Sequence, residues 1–149
     1  MEHPTYQFRL LPAPPSPKTL AAFREDAGWP TAIADGTLHD PHAHIQWACV
    51  ENGQRRIGIV RLELAPPQFC YIGDLIIHSQ FRGQGIGTWF VQRIEQYCHT
   101  LGIRRLLLQA HPGTEAFYAG LGFAPDPYVP SFLKRDINPL QARMFLPNH

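Results

Sequence analysis

The segment of residues 75–88, LIIHSQFRGQGIGT, constrains the fold more than any other part of the chain. An apolar run, typical of a strand buried on both faces, is followed by a loop with Gly83, Gly85 and Gly87. This loop leads directly into residues 85–101, where apolar side chains recur at helical spacing. Glycines leave a loop backbone open, and the first N–H groups of a helix have no partners within the helix. The pattern therefore predicts a strand, a loop and a helix that form an anion site suited to phosphate or pyrophosphate.

Two other phosphate-binding motifs share this glycine content but not its spacing. The dinucleotide fingerprint requires G-x-G-x-x-G after a first strand, with an acidic residue about 20 positions later. The loop here reads G-x-G-x-G after the fourth predicted strand, and it also lacks the Gly-Lys-Ser/Thr triplet of a P-loop. The remaining alternative is a glycine-rich helix start that binds nothing. Three alternate glycines disfavour a helix start unless their backbone is used.

The periodicity of the remaining chain predicts an α/β fold with a mixed sheet and helices on both faces, a three-layer arrangement. Strands are predicted over residues 6–11, 45–50, 56–64, 69–78 and 105–110, with a last strand over 144–146. Helices are predicted over residues 18–27, 31–38, 85–101 and 113–121. Ser16 is the expected N-cap of the first helix, and Asn52-Gly53 is the expected turn of a hairpin. No internal repeat is visible, so residues 1–149 are predicted to form one domain.

Composition excludes several classes of protein. A formal net charge of +1, from 13 basic and 12 acidic residues, argues against electrostatic binding of nucleic acid. No apolar run approaches the roughly 20 residues of a membrane helix, and the N-terminal residues do not resemble a signal peptide. Cys49, Cys70 and Cys98 form neither a disulfide framework nor a CxxC metal pair, which favours a cytoplasmic protein with reduced thiols. The histidine-rich segment 39–44 has spacings that a metal could use, but histidines in such loops are more often exposed, and no metal site is predicted.

Three segments together resemble the GNAT superfamily of acyl-CoA-dependent N-acyltransferases. The family's pyrophosphate loop matches Arg82-Gly83-Gln84-Gly85-Ile86-Gly87, and its preceding apolar strand matches Leu75-Ile76-Ile77-His78-Ser79. Its second motif, a Tyr four residues before a Gly-Phe pair, matches the sequence FYAGLGF of residues 117–123. The two motifs occur in the family's order with a strand between them. The resemblance implies acetyl-CoA as co-substrate and a pair of neighbouring strands that splay apart to hold it.

The resemblance assigns acetyl-CoA to two stretches of backbone. The pyrophosphate is expected on the N–H groups of Gly83, Gln84, Gly85, Ile86, Gly87 and Thr88, with Arg82 adding charge at the edge. The pantetheine arm is expected to pair, as an added strand would, with the backbone of Leu75, Ile76 and Ile77. A backbone N–H near Ile77 is expected to face the thioester oxygen and stabilise negative charge there.

Two residues are candidates for the proton transfers that amide formation requires at the amine and at the leaving thiolate. Tyr118 matches the family's general acid, and its phenol, with an ordinary pKa of about 10, would protonate the sulfur of coenzyme A. The alternative for Tyr118 is packing beside Phe117. Asp74, a carboxylate within an apolar strand, would accept the amine proton through water or bind the ammonium group. The alternative for Asp74 is a structural cap, and Gly73 stands where many relatives place a second carboxylate.

Four further residues are weighed as parts of the site. Glu63, on the preceding strand, is a second carboxylate within reach of the substrate, with a solvent-facing position as the alternative. Trp29, after the first helix, would wall the acceptor site and stack on an amine, with a core position as the alternative. His78 lies just past the apolar triplet, and a histidine has a suitable pKa for a base. His111 follows the fifth predicted strand, where the resemblance implies a polar residue near the cofactor. Roles outside the site are the alternative for both.

These observations predict an N-acetyltransferase that moves an acetyl group from acetyl-CoA to a primary amine of a small molecule. Direct attack in a ternary complex is expected, because no cysteine has an adjacent base for a covalent relay. The alternatives are a protein or peptide acceptor, a longer acyl chain, and a non-catalytic module that binds acyl-CoA and a partner protein. No nucleic-acid or membrane partner is expected, and the resemblance allows a homodimer.

Overall fold

The sheet is the centre of the fold. The computed structural model describes residues 5–29 and 40–137. Within these ranges one sheet is formed by seven strands: β1 Tyr6–Leu10, β2 His44–Asn52, β3 Arg55–Ala65, β4 Phe69–Ile77, β5 Arg105–Leu108, β6 Ala124–Pro125 and β7 Leu133–Asp136. Their order across the sheet is β1-β2-β3-β4-β5-β7-β6. The parallel pair is β4 with β5, and the other neighbours are antiparallel.

The described helices are α1 Pro17–Asp26, α2 Ile86–Thr100 and α3 Glu115–Gly120, with a short 3-10 helix at Ser79–Phe81. Helix α1 begins as predicted, since the Ser16 side chain accepts a hydrogen bond from the Thr19 N–H. None of these helices is both long and apolar enough to span a bilayer. The predicted helix over 31–38 and strand over 144–146 lie outside the described residues.

Two apolar clusters on opposite faces of the sheet confirm the three-layer prediction. On one face, α2 packs on β3 and β4 through side chains that include Leu62, Ile72 and Phe90. On the other face, α1 contributes Phe23 to a smaller cluster that includes Ile59. The central strands β3 and β4 are therefore buried on both faces.

Strand β4 departs from a regular strand in two ways. Its register with β3 moves from Ile59↔Ile76 to Arg61↔Gly73, so three steps along β4 match two along β3. This β-bulge contains Asp74, whose φ of 50° lies in the left-handed region. The pairing of β4 with β5 is confined to Cys70↔Leu106 and Tyr71↔Leu107, so these two described strands separate beyond Tyr71. The predicted splayed pair is confirmed.

Two short strands near the end of the described chain were not predicted. Strands β6 and β7 lie in a proline-rich segment, and β7 reads LKRD without an alternating apolar pattern. Its pairing with β5 brings it into the sheet. A strand that forms because it pairs with a distant strand shows no strand pattern in its own sequence.

Candidate active site

A cavity of about 530 Å³ opens where β4 and β5 separate. Its walls come from the end of β4, the glycine loop with the first turn of α2, and helix α3. Nine of the predicted site residues line it: Leu75, Ile77, Arg82, Gly83, Gly85, Ile86, Gly87, Thr88 and Tyr118. Three further lining residues, Phe81, Thr114 and Phe117, were not predicted as site residues. The motifs FRGQGIG and EAFYAG thus meet in one cleft.

The glycine loop presents open backbone to this cleft. Gly83 and Gly85 have φ values of 76° and 79°, and a Cβ added at either would meet nothing within 4 Å. Gly85 is the N-cap of α2 and no side chain caps the helix; the first helical hydrogen bond runs from the Trp89 N–H to the Gly85 carbonyl oxygen, 3.1 Å. The N–H groups of the first turn therefore precede the helical hydrogen bonds, and together with the positive end of the helix dipole they are suited to an anion.

Gly87 has a different role from the other two glycines. A Cβ at this position would lie 3.2 Å from Cζ of Phe117, a tight contact. The missing side chain lets the Phe117 ring of α3 approach the first turn of α2. The third glycine therefore sets the width of the cleft between these helices.

The two polar side chains of the loop, Arg82 and Gln84, differ in their surroundings. The Nε of Arg82 donates to the Ile77 carbonyl oxygen at 3.0 Å, and its Nη2 lies 3.5 Å from the carboxylate of Asp26. Gln84 is exposed and does not line the cleft. An anion in the loop would therefore contact backbone groups before side chains, because the charge of Arg82 is shared with Asp26.

The edge of β4 faces the cleft with every second side chain. Leu75 and Ile77 line the cavity, whereas Ile76 points to the α1 face and is 3% exposed in the smaller cluster. Because β4 and β5 are not paired beyond Tyr71, the β4 backbone faces a gap in which an extended ligand can take the place of a strand.

Tyr118 lines the cleft from α3 and is 8% exposed. Its ring contacts Phe117 and Phe123 edge-on, with centroid distances of 5.0 and 5.6 Å. Packing therefore restricts the orientation of the phenol, and the cleft gives it access to a bound molecule. The two interpretations of Tyr118 are compatible, since packing orients a side chain that also faces the cavity.

Asp74 does not line the cleft; it lies on the α1 face, fully buried. Its carboxylate accepts two hydrogen bonds from Arg24, at 2.9 Å from Nε and 2.9 Å from Nη2, and a third from Nε of Arg61 at 3.1 Å. A fork of this kind is the strong form of an arginine–carboxylate contact. The structure therefore places Asp74 in a buried ion-pair network.

Glu63 extends this network, and its predicted solvent-facing alternative is wrong. Glu63 is 3% exposed and accepts a hydrogen bond from Nη1 of Arg61. The guanidinium of Arg61 lies over Gly73, where a Cβ would collide with Nη2. Gly73 thus makes room for the guanidinium of Arg61 at the position where the family resemblance implied a second carboxylate in many members. The network residues Arg24 and Arg61 were missed, although charges at 61 and 63 in an otherwise apolar strand share one face and signal a buried pair.

The aromatic and histidine candidates lie outside the cavity. Trp29 stacks on His111 with ring centroids 3.7 Å apart and planes at 10°, next to the α1 cluster. Nδ1 of His78 accepts a hydrogen bond from the Gln80 N–H at 3.2 Å and so caps the 3-10 helix. Among residues 5–29 and 40–137, no three His, Cys, Asp or Glu side chains come together as metal ligands.

Comparison with known proteins gives one family. A family model described as the acetyltransferase (GNAT) family matches residues 6–123. Two relatives, each named "Uncharacterized N-acetyltransferase ycf52", match over 56 residues: that of Pyropia yezoensis is 36% identical over 38% of this chain, and that of Gracilaria tenuistipitata var. liui is 38% identical over 38%. These matches span 32% and 31% of the relatives, about a third of their length.

Solved structures share the fold at low identity. N-acetylglutamate synthase from Neisseria gonorrhoeae, complexed with coenzyme A and L-arginine, has a TM-score of 0.68 at 16% identity, covering 91% of this chain and 34% of that one. Tetrahymena GCN5 has a TM-score of 0.64 at 17% identity, covering 83% of this chain and 87% of that one. At these identities the similarity is one of fold.

Proposed function

Because the chain belongs to the acetyltransferase (GNAT) family, we propose that it is an N-acetyltransferase that transfers an acetyl group from acetyl-CoA to a primary amine of a small molecule. The observation that carries the proposal is the cleft itself. It joins an uncapped, glycine-lined helix start, an unpaired strand edge and Tyr118 in one cavity.

The residues of the cleft fit acetyl-CoA. The open backbone at Gly83 and Gly85, where even an added Cβ would meet nothing within 4 Å, suits the pyrophosphate. The separated edge of β4 at Leu75 and Ile77 suits an extended pantetheine arm. When bound, acetyl-CoA supplies the acetyl group as an activated thioester.

Tyr118 is proposed to hold the proton that the departing thiolate takes up. Its ring is oriented by Phe117 and Phe123, and its side chain lines the cleft that would hold the thioester. A positioned proton donor of this type contributes about 10² to 10⁴ in rate. Loss of the hydroxyl should therefore lower turnover more than binding.

The contacts of Asp74 weigh against direct proton abstraction by this carboxylate. It is fully buried, and it would have to give up hydrogen bonds from Arg24 or Arg61 before accepting a proton from the amine. We infer that Asp74 acts through its position in the strand, and that the amine loses its proton to water or to another group on the acceptor side.

A covalent relay through cysteine has little support. Cys49, Cys70 and Cys98 are each buried. Burial raises the pKa of the Cys49 thiol and raises that of Cys70 well above its ordinary value, which disfavours the thiolate nucleophile. Direct attack of the amine on bound acetyl-CoA is the simpler mechanism for these residues.

The test is release of free thiol from acetyl-CoA across a panel of small amines and peptides. The wild type should release thiol with one class of small amine, and Tyr118→Phe should lose about 10²-fold in turnover while coenzyme A affinity stays within about twofold. Tyr97→Phe is the matched control, since Tyr97 is a helical tyrosine packed on Phe8 away from the cleft.

Each other outcome selects a different function. Thiol release with peptides alone would replace the small-molecule acceptor by a protein acceptor. Binding of acetyl-CoA without release for any amine would favour the non-catalytic module. If the wild type does not bind coenzyme A at all, the assignment of the glycine loop is wrong.

A further inference from the structure

We propose that the last turn of α1 is a clamp that fixes the acetyl-CoA segment of the chain from the opposite face of the sheet. The clamp consists of Arg24 and Asp26, which act as positioning residues; the inference rests on the proposed function for the identity of the ligand. Neither residue belongs to the glycine loop or the tyrosine motif.

Asp26 holds the entrance to the glycine loop. Its carboxylate accepts hydrogen bonds from the Ser79 N–H at 2.8 Å and from the Ser79 hydroxyl at 2.6 Å. It also lies 3.5 Å from Nη2 of Arg82, so it contacts the loop at two positions. Since Arg82 in turn donates to the Ile77 carbonyl oxygen, the loop entrance, the strand end and α1 form one hydrogen-bonded unit.

Arg24 holds the other end of the same segment. Its guanidinium forks onto the carboxylate of Asp74 with two contacts of 2.9 Å, and Arg61 adds a third at 3.1 Å. Asp74 has a φ of 50° within the bulge of β4. A non-glycine residue keeps this conformation when its surroundings hold it there, and the ion pairs supply that restraint.

The two contacts bracket the strand residues that face the ligand. Arg24 is attached at Asp74 and Asp26 at Ser79, and Leu75 and Ile77 lie between these points. The last turn of α1 therefore fixes two points of the chain. One is the bulge from which the edge of β4 continues, and the other is the start of the loop. Because the strand edge and the loop must bind two parts of one ligand, their relative position decides whether both can be used together.

Asp26 offers the cleaner test, because its side chain is 23% exposed and its loss leaves no fully buried charge. In Asp26→Ala, amide hydrogen exchange of residues 78–88 should accelerate about tenfold in the ligand-free protein, consistent with losing charge-assisted hydrogen bonds. The Kd for coenzyme A and the KM for acetyl-CoA should rise by about the same factor, with kcat within about twofold. The matched control is Glu25→Ala, an exposed carboxylate on the adjacent residue of the same helix.

Two further variants test how much each contact contributes to coenzyme A binding. Ser79→Ala removes one donor and should weaken coenzyme A binding by less than Asp26→Ala, and the double variant should be no worse than Asp26→Ala alone. Arg24→Lys keeps the charge but not the fork, and should also raise the Kd for coenzyme A.

The readouts separate this inference from the proposed function. Unchanged exchange in the loop of Asp26→Ala overturns the clamp, whatever the protein binds. Faster exchange with an unchanged Kd, in a wild type that binds coenzyme A, overturns its role in positioning the ligand. A wild type that fails to bind coenzyme A overturns the proposed function and this positioning role together, and the exchange data then decide separately whether α1 restrains the loop.

Discussion

Asp74 shows how a single residue can be placed against its ordinary preferences. A carboxylate with no exposed surface is costly unless it is paired, and three guanidinium hydrogen bonds meet that requirement here. Its left-handed φ adds a conformational cost that such contacts must also offset. The sequence showed the buried charge, and the structure supplies the two arginines that make it tolerable.

Replacement of Asp74 by Asn should therefore destabilise the fold strongly. Asn adopts the left-handed region readily, so the substitution removes charge without adding backbone strain. Breaking a buried ion pair on one side costs roughly 3–5 kcal/mol, and a loss of this order in the free energy of unfolding is expected from urea titration.

Asp136→Asn is the control for this measurement. Asp136 also pairs with two cations, Arg105 and Lys134, but its side chain is 55% exposed. Surface pairs contribute about 0–1 kcal/mol, so this variant should change the free energy of unfolding by no more than that. Equal losses in the two variants would contradict the burial argument for Asp74.

At the scale of elements, α1 is tied to the loop after β4 by a group that titrates. The pKa of Asp26 lies below its ordinary value of 3.8, chiefly because the Ser79 hydroxyl donates a hydrogen bond to its carboxylate. A carboxyl whose pKa is lowered on folding stabilises the folded state above its unfolded pKa. That stability is lost as the pH falls through the lower, folded pKa.

The wild type should therefore melt at a higher temperature than Asp26→Asn, and the difference between the two melting temperatures should depend on pH as this linkage requires. This difference should be constant at neutral pH. It should begin to shrink near about pH 4, where the carboxyl of the unfolded chain takes up a proton, and continue to shrink as the pH falls through the lower pKa of the folded carboxyl. Thermal denaturation from about pH 7 to pH 2.5 measures it. A difference that grows at low pH would show that the hydrogen bonds from Ser79 do not depend on the ionised carboxylate.

At the scale of the whole molecule, the fold leaves a gap in its own sheet. Parallel strands are usually buried and paired along their length, yet β4 pairs with β5 at two positions only among the described residues. A ligand that fills this gap adds contacts to β4, α2 and α3 together. Binding should therefore stabilise the molecule as a unit.

Coenzyme A at about 100 times its Kd should stabilise the folded protein by about 2.7 kcal/mol, which raises the melting temperature by roughly 10 °C for a chain of this size. Tyr118→Phe should show the same rise, because Tyr118 is proposed for proton transfer. Adenosine, which has neither pyrophosphate nor pantetheine, should have little effect. If adenosine raised the melting temperature as much as coenzyme A does, the gap and the glycine loop would not be the parts of the protein that bind coenzyme A.

The local patterns of this sequence were sufficient for much of the fold. The N-cap at Ser16, the hairpin and the strand, loop and helix of residues 69–100 are formed by residues adjacent in the chain. The turn of the hairpin is Gly53-Gln54, one residue later than the predicted Asn52-Gly53, because Asn52 pairs with Arg55 in the strands. Hydrophobic period, glycine conformation and capping act over a few residues, so neighbouring residues alone are enough to predict these features. The lining of the cleft by both motifs followed from the family resemblance.

The contacts that hold the site in place were decided by tertiary structure. Arg24 reaches Asp74 across 50 residues, and Asp26 reaches Ser79 across 53. No period in the sequence links such distant positions, and a one-residue bulge in β4 reverses which face a side chain occupies. The sequence by itself determined where backbone would be free to bind an anion. Only the tertiary structure decided that Asp74 pairs with Arg24 and Arg61, and that Glu63 is buried against Arg61. The face and the neighbours of a side chain depend on register and packing, which the identity of the residue does not fix.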